Sequence, residues 1–371
     1  MDSGELVPRV GSGVIVHPAA EGIHPHAYPE GRSPDKSNCS SQFCPVDISV
    51  LFGQVEEDIP WLLEGYLAPG LWTLLAGAPK LGKTTFAYDA LVSIATGQPF
   101  LGQDVPQKNV LILGLEEHPR DMTARLRVSC QDNLSGRIKV QTSPLPYDVS
   151  VRQELLLYIK QEDIGLVVVD TLPTWWSLDD ENDAGKVNKA GKPLLQLIRD
   201  SGAAWLCLAH TRKGGGENGE AIRGSTALPA LVDIAITMTG VSETKRKLDS
   251  ISRYEETPRS LIVELTEHGY IGIGTPAQIS INAKAEKLWG VLEEVKGHTN
   301  KQLLERTGLK KQALSKAIQA LGEKVRITGE GVRSAPHVYY RNSIHPAPNS
   351  VGEGVDELQM ASAAAANPTS A

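Results

Sequence analysis

Short apolar runs alternate with helical patterns through the central part of the chain, and this alternation restricts the fold more than any other feature. Five of the runs are expected to be buried strands: Leu71–Ala76, Val110–Leu115, Ile138–Gln141, Leu166–Asp170 and Ala203–Ala209. The helical patterns between them lie near residues 84–96, 119–130, 151–162 and 186–200. Because parallel strands must be joined by long crossover connections, the alternation predicts an α/β fold with a central, mostly parallel sheet.

The last part of this region lacks the long helical patterns. Four strand-like runs follow one another directly: Ile234–Thr239, Leu248–Tyr254, Ser260–Leu265 and Tyr270–Gly274. Short connections are typical of antiparallel neighbours, so we expect the sheet to finish with an antiparallel extension.

Composition divides the chain further. Residues 1–45 are rich in Pro, Gly, Ser and His, and residues 343–371 end in a run of small residues, so both segments are expected to be disordered. Between them we expect an α/β domain over residues 46–280 and a small second domain over residues 284–342. The whole chain carries a net charge of −7, whereas residues 284–341 carry +6, which indicates that the second domain meets a polyanion.

Membrane insertion, secretion and disulfide bonding are not expected from this sequence. No apolar run reaches the ~18 residues that a membrane helix needs, and residues 1–20 lack a basic start followed by an apolar core. The four cysteines are scattered along the chain: Cys39, Cys44, Cys130 and Cys207. We therefore expect a reduced, cytoplasmic protein without a structural zinc.

A glycine-bracketed loop follows the first predicted strand and opens the first predicted helix. Its sequence, GAPKLGKT, fits the phosphate-loop pattern GxxxxGK[ST]. Lys83 is expected to contact the β and γ phosphates of a nucleotide, and the Thr84 hydroxyl is expected to bind Mg²⁺. The phosphate-binding residues are expected to be Gly77, Ala78, Pro79, Lys80, Leu81, Gly82, Lys83, Thr84 and Thr85.

Two further strands end in carboxylates that such a site needs. The run LVVVD ends at Asp170, which is expected to hold the Mg²⁺ together with Thr84. The run NVLILGLEE ends in Glu116 and Glu117, and either could activate the attacking water; we favour Glu116. Strand ends of a parallel sheet meet at one edge, where ligands bind.

This order of motifs resembles the RecA-fold ATPases of the DnaB and plasmid RepA helicase type. The resemblance covers roughly residues 58–275 and includes the segments WLLEGYLAPGLWTLLAGAPKLGKTT and WLCLAHTRKGGGENGEAIRGSTALPALVD. It implies a RecA-like P-loop ATPase that uses ATP and Mg²⁺ and works as a homo-oligomeric ring, expected to be a hexamer. It also implies that single-stranded DNA passes through the central channel of the ring.

The same resemblance assigns roles to residues outside the phosphate loop. His210 is implied as the sensor of the γ phosphate, and the segment Lys213–Gly219 as a DNA-facing loop. An arginine from the neighbouring subunit is implied to complete the site: Arg253 is the first choice, with Arg246 and Arg223 as alternatives. Trp175 and Trp176 either stack on bases or pack at a subunit interface, and the acidic run Asp179–Asp183 beside them weakens the base-stacking interpretation.

The second domain has the pattern of a helix-turn-helix. A helix over Ala285–Val295 is expected to precede two more helices that are separated at Thr307-Gly308. Their core positions are expected to be Leu303, Leu304, Leu314, Ala317, Ile318 and Leu321. The polar face of the last helix would carry Lys310, Lys311, Gln312, Ser315, Lys316 and Gln319, which are types that contact phosphates and base edges.

The segment that follows completes a resemblance to winged helices. Residues 324–340 read as strand-turn-strand, with Arg333 near the tip. Such a domain could bind duplex DNA or another protein, and the net charge of +6 favours DNA.

The sequence therefore predicts an ATP-hydrolysing motor on DNA, most simply a helicase or replication ATPase. The alternative is an ATP-switched DNA-binding regulator or helicase loader that does not unwind. A P-loop metabolic kinase is disfavoured, because we find no arginine-rich lid segment and no acceptor site.

Overall fold

The computed structural model describes residues 47–49, 58–130, 136–180, 182–211 and 227–342. The chain divides into two compact units, Met1–Asp58 and Ile59–Ala371, and the elements below belong to the second. Several predictions fall outside the described residues. They concern the arm over residues 1–45 and the tail over residues 343–371, both expected to be disordered, together with Cys39, Cys44, the loop Lys213–Gly219 and Arg223.

Nine strands form the main sheet in the described part of the chain. They are β1 (Trp72–Gly77), β2 (Asn109–Gly114), β3 (Ile138–Gln141), β4 (Ile164–Asp170), β5 (Ala204–His210), β6 (Ile234–Gly240), β7 (Lys245–Ser252), β8 (Ser260–Thr266) and β9 (Gly269–Gly274). The order across the sheet is β3-β2-β4-β5-β1-β6-β7-β8-β9. All pairs from β3 to β6 are parallel, and the pairs from β6 to β9 are antiparallel. The predicted α/β fold with a mostly parallel sheet is confirmed, as is its antiparallel extension.

Helices connect the parallel strands. They are α1 (Lys83–Thr96), α2 (Pro119–Cys130), α3 (Val149–Gln161), α4 (Leu172–Trp176), α5 (Ala184–Ser201) and α6 (Ala227–Leu231). Side chains fix two of their starts: Asp148 accepts a hydrogen bond from the Val151 N–H, and Asp183 accepts from Gly185 and Lys186. The sequence did not predict α4 and α6, because five residues are too few to show a helical period.

Apolar layers cover both faces of the sheet. Alternation along β1 places Leu75 in one layer and Leu74 and Ala76 in the other. Cys207 is buried and free in the second layer.

The two tryptophans of α4 are core residues, so both functions considered for them are wrong. Trp175 is 2% exposed and Trp176 is 5% exposed. The Trp175 ring stacks on Trp205, with centroids 6.2 Å apart and an angle of 11° between the planes, and it meets Tyr147 edge-on. These contacts anchor α4 directly after Asp170. Sequence reasoning missed this because a short helix offers no periodicity by which to recognise its buried face.

The C-terminal segment forms three helices and a small sheet. The elements are α7 (Pro276–Trp289), β10 (His298–Thr299), α8 (Asn300–Thr307), α9 (Lys311–Leu321), β11 (Val325–Thr328) and β12 (Val338–Arg341), with a 3-10 turn at Gly322–Lys324. The sheet is antiparallel in the order β10-β12-β11. Its core is separate from the two layers of the main sheet and includes Leu288, Leu303 and Leu314.

The first of these helices starts earlier than expected. Thr275 and Gln278 form a reciprocal capping box, and Pro276 occupies the first turn, so α7 begins at Pro276 and not at Ala285. It ends at Trp289, and Val295 lies beyond it with 93% of its surface exposed. The expected division between residues 280 and 284 therefore falls inside one continuous helix. The break at Gly308 is as predicted, since this glycine ends α8 in the left-handed conformation.

No helix among the described residues is long and apolar enough to span a membrane.

Candidate functional site

The carboxyl ends of four neighbouring strands build one cleft. Gly77 at the end of β1 is in register with His210 at the end of β5. Gly114 at the end of β2 is in register with Asp170 at the end of β4. The residues that follow these strand ends therefore meet at one edge of the sheet, which is where α/β proteins bind ligands.

The cleft has a volume of about 590 Å³ and an open mouth. It is lined by Pro79, Lys80, Leu81, Gly82, Lys83, Thr84, Thr85, Glu116, Glu117, Arg125, Asp170, Thr171 and His210. The structure thus brings together every predicted site residue from Pro79 to Thr85 with Glu116, Asp170 and His210.

The loop between β1 and α1 has the backbone of an anion cradle. Gly82 has a φ of 97° and Lys80 a φ of 62°, and a Cβ on Gly82 would collide with the Tyr270 hydroxyl, so glycine is required there. At the start of α1, Gly82 offers no side chain to cap the helix, no side-chain capping bond is made, and the first turn contains no acidic residue. The N–H groups at the start of α1 are therefore available to an anion.

The charged ammonium group of Lys83 lies inside the cleft, where its hydrogen-bond partners are backbone carbonyl oxygens. Its Nζ donates to the carbonyl oxygens of Gly77 and Ala78, each at 3.0 Å, and lies 3.5 Å from Nδ1 of His210. The residue is 6% exposed, and this burial lowers the pKa of Lys83, while the charges of Asp170 and Glu116 raise it. A phosphate oxygen would be a better partner for this ammonium than the carbonyl oxygens.

Thr84 and Asp170 provide oxygen ligands suited to Mg²⁺. Asp170 is 4% exposed, and burial raises its pKa to about 6, opposed mainly by a hydrogen bond from the Thr84 hydroxyl. The carboxylates of Glu116 and Glu117 also raise this pKa. A hydroxyl and a carboxylate oxygen fit the preference of Mg²⁺ for hard oxygen donors, and the cation would favour the ionised form of Asp170.

The two acids after β2 have different partners. Glu116 Oε2 accepts a hydrogen bond from the Thr171 hydroxyl at 2.8 Å, and Glu116 Oε1 lies 3.9 Å from Nε2 of His210. Glu117 is instead paired with Arg125, with 2.8 Å between Oε1 and Nε. The geometry therefore favours Glu116 over Glu117 as the group that faces a reacting phosphate.

Two residues of the cleft were missed by sequence reasoning. Arg125 projects from α2 and also reaches the Thr85 hydroxyl at 3.5 Å. Thr171 follows Asp170 directly, and its hydroxyl contacts Glu116. The position next to Asp170, the predicted metal ligand, is a signal for Thr171, whereas nothing in the sequence marks Arg125.

Arg246 and Arg253, the two candidate arginines among the described residues, lie at opposite ends of β7. Arg246 is the second residue of β7 and lies opposite Gly240, and its Nε donates to the Leu81 carbonyl at 2.9 Å, so it supports the phosphate loop of its own chain. Arg253 follows the other end of β7. It is 65% exposed and lies 4.0 Å from the buried carboxylate of Asp233. The structure does not bring Arg253 into the cleft of its own chain.

Comparisons with known proteins agree with this architecture. Residues 40–216 match the sequence profile of an AAA domain. Over 234 residues, or 62% of this chain, the sequence is 22% identical to the DNA repair protein RadA of Pseudomonas aeruginosa. The chain spans 47% of the length of that relative. Together with the fold, these similarities support a RecA-like P-loop domain in this chain.

The buried carboxylate of Asp170 makes a prediction about stability. Because burial raises its pKa from 3.8 to about 6, the ionised form destabilises the ligand-free fold above about pH 6, and this effect disappears as the pH falls towards about 4. Asp170→Asn should therefore raise the free energy of unfolding by about 3 kcal/mol near neutral pH and by roughly half of that near pH 5. Urea unfolding in EDTA measures both values.

Asp104→Asn is the control, since Asp104 is exposed and its replacement should leave stability unchanged. Equal unfolding free energies for wild type and Asp170→Asn near neutral pH would contradict the conclusion that the ionised, buried carboxylate of Asp170 destabilises the ligand-free fold.

Proposed function

We propose that this cleft binds Mg²⁺-ATP and hydrolyses it, and that this hydrolysis drives an activity on DNA. The observation that carries the proposal is the convergence of Lys83, Thr84, Asp170 and Glu116 in a single cleft. Phosphoryl transfer needs positioning and charge stabilisation more than covalent chemistry, and these four side chains supply a cation, two metal ligands and a base.

Each side chain has a role that follows from its position. Lys83 exchanges its carbonyl partners for the β and γ phosphates. Thr84 and Asp170 hold Mg²⁺, which neutralises charge on the phosphates when it is bound. Glu116 orients the attacking water and accepts its proton. His210 lies between Lys83 and Glu116, and this position supports the proposal that it senses whether the γ phosphate is present.

We propose further that the ATP site is shared between subunits of a ring, expected to be hexameric. Arg253 is exposed and lies beyond the amino-terminal edge of β6, away from its own phosphate loop. An arginine placed there contributes to catalysis only in the site of a neighbouring subunit, where it would stabilise charge in the transition state. Arg246 is the weaker candidate, because its guanidinium is already bonded to Leu81 and to the carbonyl of Ser242.

We propose that the protein moves along DNA or acts on it. The sequence resembles DnaB and plasmid RepA helicases, and the similarity to a DNA repair protein points to the same class of partner. We propose that single-stranded DNA occupies the central channel and that the motor unwinds duplex DNA.

The C-terminal segment is proposed to be a winged helix that binds duplex DNA. The order α7-β10-α8-α9-β11-β12 supports this assignment. On α9 the apolar side chains Leu314, Ala317 and Leu321 are buried. The opposite face presents Lys311, Gln312, Ser315, Lys316 and Gln319, all exposed. Such a face suits phosphate and base-edge contacts.

A steady-state assay of ATP hydrolysis tests the catalytic proposal. Wild-type protein should hydrolyse ATP only with Mg²⁺, and single-stranded DNA should stimulate turnover. Lys83→Ala should lose nucleotide binding. Glu116→Gln should keep binding and lower kcat by about 10²-fold or more, in line with loss of a general base. Glu117→Gln should stay within about threefold of wild type.

The outcome with DNA separates the two candidate functions. Turnover that DNA leaves unchanged would contradict the helicase proposal. Slow turnover without unwinding of a tailed duplex, together with a footprint at one sequence, would favour the alternative of an ATP-switched regulator or helicase loader.

The proposed DNA-binding face has its own test. Lys311→Gln combined with Lys316→Gln should weaken binding to duplex DNA and reduce the slope of log K against log salt by roughly 2, about 1 for each lost phosphate contact. The matched control is Lys284→Gln combined with Lys287→Gln on α7, which removes the same charge from another helix of the same segment. Equal weakening by both pairs would contradict a specific face on α9.

A further inference from the structure

The hydroxyl of Thr171 has an unusual set of partners for its position. Thr171 is the N-cap residue of α4, where a threonine side chain ordinarily accepts a hydrogen bond from the first turn of the helix. In the part of the chain that the structure describes, it makes no such capping bond. Its Oγ1 instead donates to Glu116 Oε2 at 2.8 Å and lies 3.0 Å from Oγ1 of Thr174.

The direction of these bonds follows from the count of protons. A hydroxyl has one proton to donate, and the carboxylate of Glu116 has none when it is ionised, so the Thr171 proton goes to Glu116. Thr174 must then donate to Thr171. The result is a directed chain of hydrogen bonds from Thr174 through Thr171 to Glu116, in which each donor strengthens the next.

Thr171 and Glu116 differ in how firmly the fold holds them. Thr171 is 3% exposed and is continuous with the central strand β4, and α4 is anchored by the buried rings of Trp175 and Trp176. The Glu116 side chain, in contrast, is 49% exposed. A half-exposed carboxylate loses rotamer freedom when a fixed donor holds it, so the buried hydroxyl of Thr171 determines where the Glu116 oxygens point.

We propose that Thr171, supported by Thr174, is a positioning residue that holds Glu116 in the orientation needed to activate water. This inference rests on the proposed ATP hydrolysis and extends it to two residues outside the phosphate-loop and metal-binding set. Thr171 acts through Glu116 and not on the nucleotide, so its loss should affect turnover and not nucleotide binding.

Three variants of the full-length protein test this role. Thr171→Val keeps the shape of the side chain and removes the hydroxyl, and it should lower kcat about tenfold while KM for ATP stays within about twofold. Thr171→Ser retains the hydroxyl and should restore most of kcat. Thr174→Val removes only the second donor and should lower kcat by roughly two- to threefold. Thr123→Val on α2 is the control, and its kcat should equal that of wild type.

A double-mutant cycle with Glu116→Gln identifies the path of the effect. If Thr171 acts through Glu116, Thr171→Val should cause no further loss of single-turnover rate in the Glu116→Gln background. An additive loss in the double variant, or wild-type kcat in Thr171→Val, overturns the inference. Should Thr171→Val fail to fold, Thr174→Val decides, because its side chain is exposed; an unchanged kcat there contradicts the chain of hydrogen bonds.

These outcomes are distinct from failure of the proposed function. Absence of ATP hydrolysis in wild type would reject the ATPase itself, and full activity in Lys83→Ala would reject this cleft as its site. An active wild type with an inactive Glu116→Gln and an unaffected Thr171→Val would retain the ATPase and reject only the positioning role.

Discussion

The buried ammonium of Lys83 is the charge around which the rest of the site is arranged. Two backbone carbonyls of the phosphate loop hold it, and the loop reaches Lys83 through Gly82, which has a positive φ. The loop is held in turn by Arg246, which bonds the Leu81 carbonyl from β7, and by Tyr270 from β9, which lies against Gly82. The antiparallel extension thus supports the loop that ends β1.

Charges of both signs are kept from water in the same cleft. Burial lowers the pKa of Lys83 and raises that of Asp170, so each group is less favourable in its charged form than it would be at the surface. A ligand that brings phosphates to Lys83 and a divalent cation to Asp170 relieves both at once. Preorganised charge of this kind costs stability in the free protein and stabilises the bound state.

The sequence was sufficient for the parts of the molecule that depend on local pattern. Apolar runs located the strands of the main sheet to within a few residues, and the glycine-lysine-threonine pattern located the phosphate loop. Partners that come from distant strands could not be predicted in this way. The choice between Glu116 and Glu117 depends in part on Thr171, which contacts Glu116 only after β2 and β4 pair. The other partner, Arg125, is near Glu117 in the sequence, but nothing in the sequence marks it as the residue that pairs with Glu117. The core position of Trp175 depends likewise on Trp205 of β5. The residues around α4 in the sequence do not indicate this contact, because Trp205 lies on a different element.

A structure of the protein with Mg²⁺ and a non-hydrolysable ATP analogue tests the central claim most directly. We expect Lys83 Nζ to leave the carbonyl oxygens of Gly77 and Ala78 for the β and γ phosphates. We also expect Thr84 and Asp170 to hold the metal and Glu116 to face the terminal phosphate. A nucleotide bound elsewhere, or one bound in the cleft while Lys83 still holds both carbonyls, would contradict the central claim.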